Sequence, residues 1–229
     1  TGGSNVALGY VALTADTVGS KTVAVGFRSL GAQNYGTATD TYNTAVGYDS
    51  GASVTTGTSL TLIGAAAGDA LTDADYNIAI GDFALSADTL GSRNIAIGHA
   101  ALATQNFTTA TNGYNVAIGH AAGNKITTGQ QNVALGGDAL DALTVGSSNT
   151  AIGYQALTAD TQGQNNVAVG HNALATQNFT TTTNAYNVAV GSQAGLVVST
   201  GLFNTLLGGI AGDALTDADR NVALGYGAL

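Results

Sequence analysis

Asn94-Ile95-Ala96-Ile97-Gly98 is one copy of a pentapeptide, Asn-x-Ala-aliphatic-Gly, that recurs along the whole of this 229-residue chain. The first copy spans residues 5–9 and the last spans residues 221–225. The glycines that close its 13 copies are Gly9, Gly26, Gly47, Gly64, Gly81, Gly98, Gly119, Gly136, Gly153, Gly170, Gly191, Gly208 and Gly225. A repeat of this length predicts a stack of similar structural units.

The glycines are regularly spaced at two levels. Most steps from one glycine to the next are 17-residue steps, every fourth is a 21-residue step, and four successive steps form a larger 72-residue unit. Residues 102–109 recur unchanged at 174–181, and residues 68–75 recur at 212–219. We therefore predict a single repeat domain of 13 coils over residues 1–229. Since neither a starting Met nor a signal peptide is present, we expect a fragment of a longer fibrous protein.

The pentapeptide has the pattern of a β-strand. The residues on either side of its central position are Val, Ile, Leu or Thr, as at Ile78 and Ile80, and this alternation with period two indicates a strand. A glycine shortly before the next Asn, such as Gly19 or Gly91, indicates a turn. One such unit cannot bury its own apolar face. We therefore predict an all-β fold, a parallel β-solenoid whose 17- and 21-residue coils bury the branched aliphatic side chains.

The other side of the predicted strand carries small residues. Its central position is Ala in 11 of 13 copies, the exceptions being Leu62 and Leu206. We predict that this stripe contacts another subunit because small side chains permit close approach of a second backbone; the alternative is that the alanines pack inside their own coil. The predicted stripe consists of Ala7, Ala24, Ala45, Ala79, Ala96, Ala117, Ala134, Ala151, Ala168, Ala189 and Ala223.

The repeated Asn is the second regular feature of the strand. It is present in 11 of 13 copies, with Thr22 and Leu60 as exceptions. Stacked amides can form a side-chain hydrogen-bond ladder along the solenoid. A repeated turn residue is the other interpretation, and the two are compatible.

The pentapeptide also resembles a known family. Residues 94–98, and residues 149–153 followed by Tyr154-Gln155-Ala156-Leu157, resemble the head repeats of trimeric autotransporter adhesins and related repeats of phage tail fibres. The resemblance spans essentially the whole chain. It implies a left-handed parallel β-roll, assembled as a homotrimer outside the cell, on a virion or a bacterial outer surface. The adhesin repeat is shorter and usually reads Asn-Ser-Val-Ala-Ile-Gly, whereas here the Asn directly precedes the aliphatic residue.

The composition argues against several classes of partner. The chain has 5 Lys and Arg against 14 acidic residues, so we predict no nucleic-acid binding, which depends on clustered cations. The absence of Cys excludes disulfides and thiolate metal sites. No apolar run reaches the roughly 20 residues that span a bilayer, so we predict no membrane insertion by this segment. We expect no cofactor.

Few residues suggest catalysis. His99, His120 and His171 occupy the position after the pentapeptide Gly, where other copies carry Tyr, Phe, Asp or Ala, so we interpret them as surface or trimer-seam residues. Asp-rich segments at 69–75 and 213–219 offer oxygen atoms of the kind that bind Ca²⁺, but the Gly-Gly-x-Gly-x-Asp motif of Ca²⁺-binding β-rolls is absent, so we interpret them as solvated turns. The chain is predicted not to be an enzyme.

The longer coils contain an insertion rich in Asn and Thr, at residues 33–42, 105–114 and 177–186. Four coils of strand spacing place successive insertions about 19 Å apart, and we expect them to protrude. Their side chains either contact a host-surface glycan or a protein receptor, or brace a neighbouring subunit. The candidate contact residues are the aromatic pairs Tyr35 and Tyr42, Phe107 and Tyr114, and Phe179 and Tyr186.

These observations predict a non-enzymatic structural segment of an extracellular trimeric fibre, either a phage tail fibre or a bacterial adhesin head, that supports attachment to a host or surface. One alternative is an ice-binding solenoid, because Thr14 and Thr17, or Thr158 and Thr161, recur in the coils. Another alternative is a tailspike that degrades polysaccharide.

Overall fold

A computed structural model describes residues 2–229, which form strands and turns without any helix. Within these residues there is accordingly no apolar helix of membrane-spanning length. The chain divides into two compact units, one ending at Tyr114 and the other comprising Asn115–Leu229. Each unit consists of coils of the same kind.

The first unit contains six parallel strands in the order β1-β3-β5-β6-β7-β9, and each is hydrogen-bonded to the next. The register pairs equivalent residues of the repeat, so Val6 lies beside Val23, and Val23 lies beside Thr44. Two short parallel pairs, β2 with β4 and β8 with β10, accompany the long coils. The strands are β1 Val6–Leu8, β2 Gly19–Ser20, β3 Val23–Val25, β4 Thr39–Asp40, β5 Thr44–Val46, β6 Thr61–Ile63, β7 Ile78–Ile80, β8 Gly91–Ser92, β9 Ile95–Ile97 and β10 Thr111–Asn112.

The second unit contains seven parallel strands in the order β11-β12-β13-β15-β17-β18-β19, with β14 paired to β16. Its strands are β11 Val116–Ile118, β12 Val133–Leu135, β13 Thr150–Ile152, β14 Gly163–Gln164, β15 Val167–Val169, β16 Thr183–Asn184, β17 Val188–Val190, β18 Thr205–Leu207 and β19 Val222–Leu224. The predicted all-β parallel solenoid of about 13 turns is thereby confirmed.

The two faces of the strand are the reverse of the prediction. The central alanine points into its own coil, as at Ala79 and Ala96, while the branched residues beside it point outward and stay partly exposed. The interior already holds buried leucines such as Leu85 and Leu102, and the central alanines pack beside them. The aliphatic residues of the strand are therefore not its core.

The predicted intersubunit role of the alanine stripe is consequently wrong, and the alternative of packing within the coil is correct. Ten of the eleven alanines are buried by the chain itself, and Ala7, in the edge strand β1, is exposed. The buried residues are Ala24, Ala45, Ala79, Ala96, Ala117, Ala134, Ala151, Ala168, Ala189 and Ala223.

The bulky part of the core comes from the fourth position after the pentapeptide Gly. Leu85, Leu102, Leu140, Leu157 and Leu174 are fully buried there, with φ between 50° and 53°. The left-handed conformation costs roughly 1–2 kcal/mol for a residue with a Cβ atom. Complete burial of a leucine contributes about 1.5–3 kcal/mol, which offsets that cost.

The two exceptions to the central alanine follow from this packing. Leu62 projects into the coil, where a Cβ atom added to Gly51 would lie 2.7 Å from Leu62 Cδ1, and one added to Gly68 would lie 2.9 Å from Leu62 Cδ2. Leu206 is placed in the same way against Gly195 and Gly212. A large residue at the central position thus coincides with glycines at the leucine position of the adjoining coils, which keeps the core volume constant.

The predicted Asn ladder is confirmed. In the coil of Asn149, Oδ1 accepts the backbone N–H of Asn166 at 3.0 Å, and Nδ2 donates to the carbonyl of Gly163 at 2.9 Å. The amide therefore closes its own coil and binds the next one. The same pattern recurs at other buried members of the column, including Asn43, Asn132, Asn187 and Asn204.

Candidate functional site

The main exposed apolar surface is formed by the outward side chains of the pentapeptide strands, and we call it the outer face. Each strand contributes its first and third residues, which are all Val, Ile, Leu or Thr, so the outer face carries no charge. Within the stacks, the exposed fractions reach 36% at Val46, 38% at Ile63 and Val190, and 40% at Leu135. Side chains of this kind gain free energy when they are removed from water.

Two columns of residues border the outer face. The leading margin is the residue before each pentapeptide, and the trailing margin is the residue after each pentapeptide Gly. Ten of the eleven exposed Tyr and Phe side chains lie in these margins. The leading margin contains Tyr42, Tyr76, Tyr114, Tyr186 and Phe203, and the trailing margin contains Tyr10, Phe27, Tyr48, Tyr154 and Tyr226. The exposed apolar side chains are therefore concentrated on one side of the coil.

The margin aromatics stack on one another along the column. In the trailing margin the ring of Phe27 lies 5.6 Å from that of Tyr10 and 5.2 Å from that of Tyr48, with nearly parallel planes. Tyr186 and Phe203 stack at 5.8 Å in the leading margin. Stacked rings offer mainly their edges to the outside. This geometry is unlike a sugar-binding platform, which needs free ring faces.

Cations cover further ring faces in the leading margin. Lys21 Nζ lies 4.9 Å from the ring centre of Tyr42, and the guanidinium of Arg93 lies 4.8 Å from that of Tyr76. Lys21 also donates to Asp40 at 2.7 Å and to the Tyr42 hydroxyl at 3.0 Å, and these hydrogen bonds raise the pKa of Lys21 above its usual value. Cation–π contacts of this kind therefore cover ring faces at some positions of the leading margin where no second aromatic residue stacks.

Of the two aromatic residues in each insertion segment, one is exposed and the other is buried. Tyr42, Tyr114 and Tyr186, the second residue of each aromatic pair, are exposed, in agreement with a surface position. The expectation of surface contact is wrong for the first residue of each pair, because these rings are buried within the chain. They are Tyr35, Phe107 and Phe179, with exposed fractions of 6%, 4% and 6%.

The buried aromatics fill the space beside the preceding turn. A Cβ atom added to Gly91 would lie 2.6 Å from Phe107 Cδ2, so the glycine makes room for the ring. The Tyr35 hydroxyl donates to the carbonyl of Gly57 at 2.5 Å, and burial raises the pKa of Tyr35 to about 12. The first aromatic residue therefore anchors the insertion and leaves its tip exposed.

A carboxylate holds each insertion, buried at Asp88 and Asp160 and partly buried at Asp16, and we call this arrangement the Asp–Gln clamp. Asp160 accepts the backbone N–H of Gly163 at 2.9 Å and that of Phe179 at 3.2 Å, while Gln177 Nε2 donates to Asp160 at 2.6 Å. Gln177 Oε1 accepts in turn from Asn187 Nδ2 at 2.8 Å, which joins the clamp to the Asn ladder. Equivalent Asp–Gln pairs are Asp16 with Gln33 and Asp88 with Gln105. Sequence reasoning missed this feature.

The clamp makes stability depend on pH. Burial raises the pKa of Asp88 and Asp160 even though the hydrogen bonds they accept act in the opposite direction. The folded chain therefore binds these protons more readily than the unfolded chain, whose Asp pKa is about 3.9. It follows that the clamps' contribution to the free energy of unfolding is largest at low pH and decreases as the pH rises through the folded pKa.

We expect the Asp160→Asn variant to lose part of this dependence. Its melting temperature should change less between pH 4 and pH 7 than that of the unsubstituted protein, although the new amide opposes a donor to Gln177 and lowers stability overall. Asp217→Asn, at an exposed position, provides the matched control and should leave the change of melting temperature between pH 4 and pH 7 as it is in the unsubstituted protein. If thermal melts showed the same change of melting temperature with pH for Asp160→Asn and the unsubstituted protein, Asp160 would not contribute to the pH dependence of stability.

The recurring threonines form a column of hydroxyls that donate to the chain itself. Thr72 Oγ1 donates to the carbonyl of Thr89 at 3.0 Å, and Thr144 Oγ1 donates to that of Thr161 at 2.9 Å. Of the threonines considered for ice binding, Thr17 donates to Asn34 at 3.2 Å and Thr161 to Asn178 at 2.9 Å. Their protons are thus used for cohesion between coils. The ice-binding alternative gains no support from this column and stays a prediction.

The remaining polar groups are dispersed. His171 stacks on Tyr154 at 5.9 Å, and His120 Nδ1 lies 3.6 Å from Asp138 Oδ1. Among residues 2–229, no three His or Asp side chains are grouped so that they could hold a metal ion. A shallow cavity of about 430 Å³ lies beside Arg28, but the Arg28 guanidinium already makes two hydrogen bonds to Asp49, at 2.9 and 2.7 Å.

Comparisons with protein-family models, curated proteins and solved structures find no match to this chain. The outer face, its margins and the clamped insertions are therefore interpreted from their own geometry.

Proposed function

We propose that the chain is a non-enzymatic structural segment of an extracellular homotrimeric fibre, of the kind found in phage tail fibres and bacterial adhesin heads. In this proposal the 17-residue and 21-residue coils wind in the left-handed sense. The fibre supports attachment to a host or surface. It is displayed on a virion or on the outer surface of a bacterium.

The observation that carries the proposal is the hydrogen-bonding pattern along the stack. In each unit, the Asn amides and the threonine hydroxyls of one coil bind the backbone of the next coil, in addition to the strand ladder. Every coil is thus secured by its neighbours through many bonds that act in parallel. Such a distribution of cohesion suits a protein that carries mechanical load, because no single site determines its integrity.

The exposed tips of the insertions are the proposed points of contact with other molecules. The tips at residues 108–112 and 180–184 consist mainly of exposed threonines and end in an exposed asparagine, and each is fixed to the scaffold by a clamp. Variable polar segments on a rigid scaffold are common sites of recognition. We propose a host-surface glycan or a protein receptor as the ligand, with bracing of a neighbouring subunit as the alternative role.

Molar mass in solution tests the assembly. Light scattering of the purified protein is expected to give about three times the 22.4 kDa of one chain, because the proposed fibre segment is a trimer. The measurement is made over a range of concentrations so that weak association is detected. A mass of one chain at every concentration would contradict the proposal.

A further inference from the structure

We infer that the outer face, with its two margins, is the surface through which one copy of this chain docks onto a second copy. The inference rests on the proposed homotrimer and names the contact that holds it together. It replaces the alanine stripe, which lies inside the coil, by the outward residues of the same strands.

The first argument is the chemistry of the outer face. Its strand positions are aliphatic in 22 cases and threonine in four, at Thr44, Thr61, Thr150 and Thr205, and none is charged. In each unit this surface is free of charge although the chain has a net charge of −9. The tyrosine hydroxyls of the margins supply a polar rim around it. An apolar centre with an amphipathic aromatic rim is the usual composition of a protein interface.

The second argument is area. With about 4.8 Å between strands and about 3.3 Å between residues, the six strands of the first unit and their margins cover about 480 Å², and the seven strands of the second cover about 580 Å². The chain therefore offers about 1,000 Å² per copy. A ring divides this area between two neighbours, about 500 Å² for each, which is the size of the smaller specific interfaces, those that bury less than about 1,200 Å² in total.

The third argument is periodicity, and it selects a second copy as the occupant. The outer face consists of rows of similar side chains that repeat at the strand spacing, as shown by the register of Val133 with Thr150 and of Thr150 with Val167. A partner that packs against many such rows must have the same repeat. A second solenoid of this sequence, aligned in the same direction, has that repeat automatically.

The margins add a difference in charge. The leading margin contains Lys21, Arg93 and Arg220 and no carboxylate, whereas the trailing margin contains Asp82 and neither Lys nor Arg. The two margins are therefore distinct surfaces, with one carboxylate, Asp82, available to the cations of a neighbouring copy. A contact between two different surfaces generates a closed ring when its rotation closes, as a trimer requires.

The test is a pair of lysine substitutions on the outer face. Leu135→Lys combined with Val190→Lys should convert the trimer to a single chain, because two apolar contacts per copy would become charged. Both side chains are already partly exposed, so the isolated chain is expected to fold. Val145→Lys is the matched control: Val145 is 36% exposed but lies outside the outer face, and this variant should remain trimeric. Mass is measured by light scattering and fold by circular dichroism.

Cross-linking provides a second measurement that does not depend on the lysine variants. Because the chain has no cysteine, Leu135→Cys and Val145→Cys each introduce a single thiol. A short bismaleimide should yield covalent dimers with Leu135→Cys and not with Val145→Cys.

The outcomes separate the two proposals. A trimeric unsubstituted protein that stays trimeric with both lysines, and shows no cross-link at position 135, would overturn the assignment of the outer face and leave the trimer intact. If the unsubstituted protein were monomeric, both the proposed homotrimer and the assignment of the outer face would be wrong. Flotation of that single chain on phosphatidylcholine vesicles would assign the outer face to lipid instead.

Discussion

Replacement of Gly136 by alanine is expected to lower the free energy of unfolding by about 3–6 kcal/mol. The glycine has a φ of +132°, a conformation that side chains rarely adopt, and an added Cβ atom would lie 2.6 Å from the carbonyl oxygen of Gly153. That carbonyl belongs to the next coil, whose Gly153 N–H donates to the carbonyl of Leu135 at 2.7 Å. The backbone therefore cannot move away without breaking the ladder.

Gly137→Ala provides a control at the adjacent residue. No left-handed φ restricts Gly137, and the nearest atom to its added Cβ would be a ring carbon of Tyr154 at 3.4 Å, an ordinary contact. We expect a change within about 1 kcal/mol, since Ala in place of Gly also reduces the entropy of the unfolded chain. Both variants are compared by urea denaturation at one protein concentration.

Gly225→Ala separates the two causes. Its φ is +123°, but nothing lies within 4 Å of an added Cβ atom. This variant should show only the backbone cost, about 1–3 kcal/mol. If Gly136→Ala and Gly137→Ala had equal effects, close stacking of the glycines would not be the reason for their repetition.

The repeat and the strands could be predicted from sequence because both are properties of a short, recurring pattern. Alternation around residues such as Ala79 requires an extended strand whatever surrounds it. Equal spacing of the copies then places equivalent residues in register, and the ladder of Asn amides follows from that register. None of these steps needs knowledge of distant contacts.

The direction of the two strand faces was not predicted, because alternation defines two faces without saying which one is interior. The usual rule that apolar residues lie inside selects the branched aliphatic face, yet the interior is occupied by the central alanines and by leucines such as Leu85 and Leu102. One signal was present in the sequence. Leu62 occurs between Gly51 and Gly68, and Leu206 occurs between Gly195 and Gly212, so a larger central residue accompanies smaller neighbours. Such compensation indicates that the central position faces inward.

The burial of one aromatic residue per insertion was also missed, because it depends on a partner in the preceding coil. The sequence contained a usable sign of it. An Asp stands one coil before the Gln of each insertion, as Asp88 does before Gln105, and aliphatic residues occupy that position in the coils outside the clamps. A carboxylate found only beneath an insertion indicates a group that fixes it.

Removal of one amide from the Asn ladder should have the second large effect. Asn149 is 1% exposed, and its Oδ1 accepts from the backbone and side-chain nitrogens of Asn166 at 3.0 and 3.1 Å, while Nδ2 donates to Gly163 at 2.9 Å. Asn149→Ala leaves these buried groups without a hydrogen-bond partner, and each unpaired group costs about 1–3 kcal/mol. We therefore expect the free energy of unfolding to fall by about 2–5 kcal/mol. Asn184→Ala is the control, because Asn184 is exposed and accepts one bond from Asn165. It should cost less than about 1 kcal/mol.

The Asn149→Asp variant distinguishes the donor from the acceptor. The substitution keeps the shape and the acceptor oxygen but replaces Nδ2 by an oxygen that faces the carbonyl of Gly163 and Oδ1 of Asn132. At neutral pH the buried charge and the opposed oxygens should destabilise the coil at least as much as alanine does. Protonation restores a donor, so the folded pKa of the new carboxyl should lie above its unfolded value, and stability should recover as the pH falls. Urea denaturation at pH 4 and pH 7 measures this recovery of stability. If Asn149→Asp showed no recovery and Asn149→Ala did not lower the free energy of unfolding, the column of asparagines would contribute no cohesion between coils.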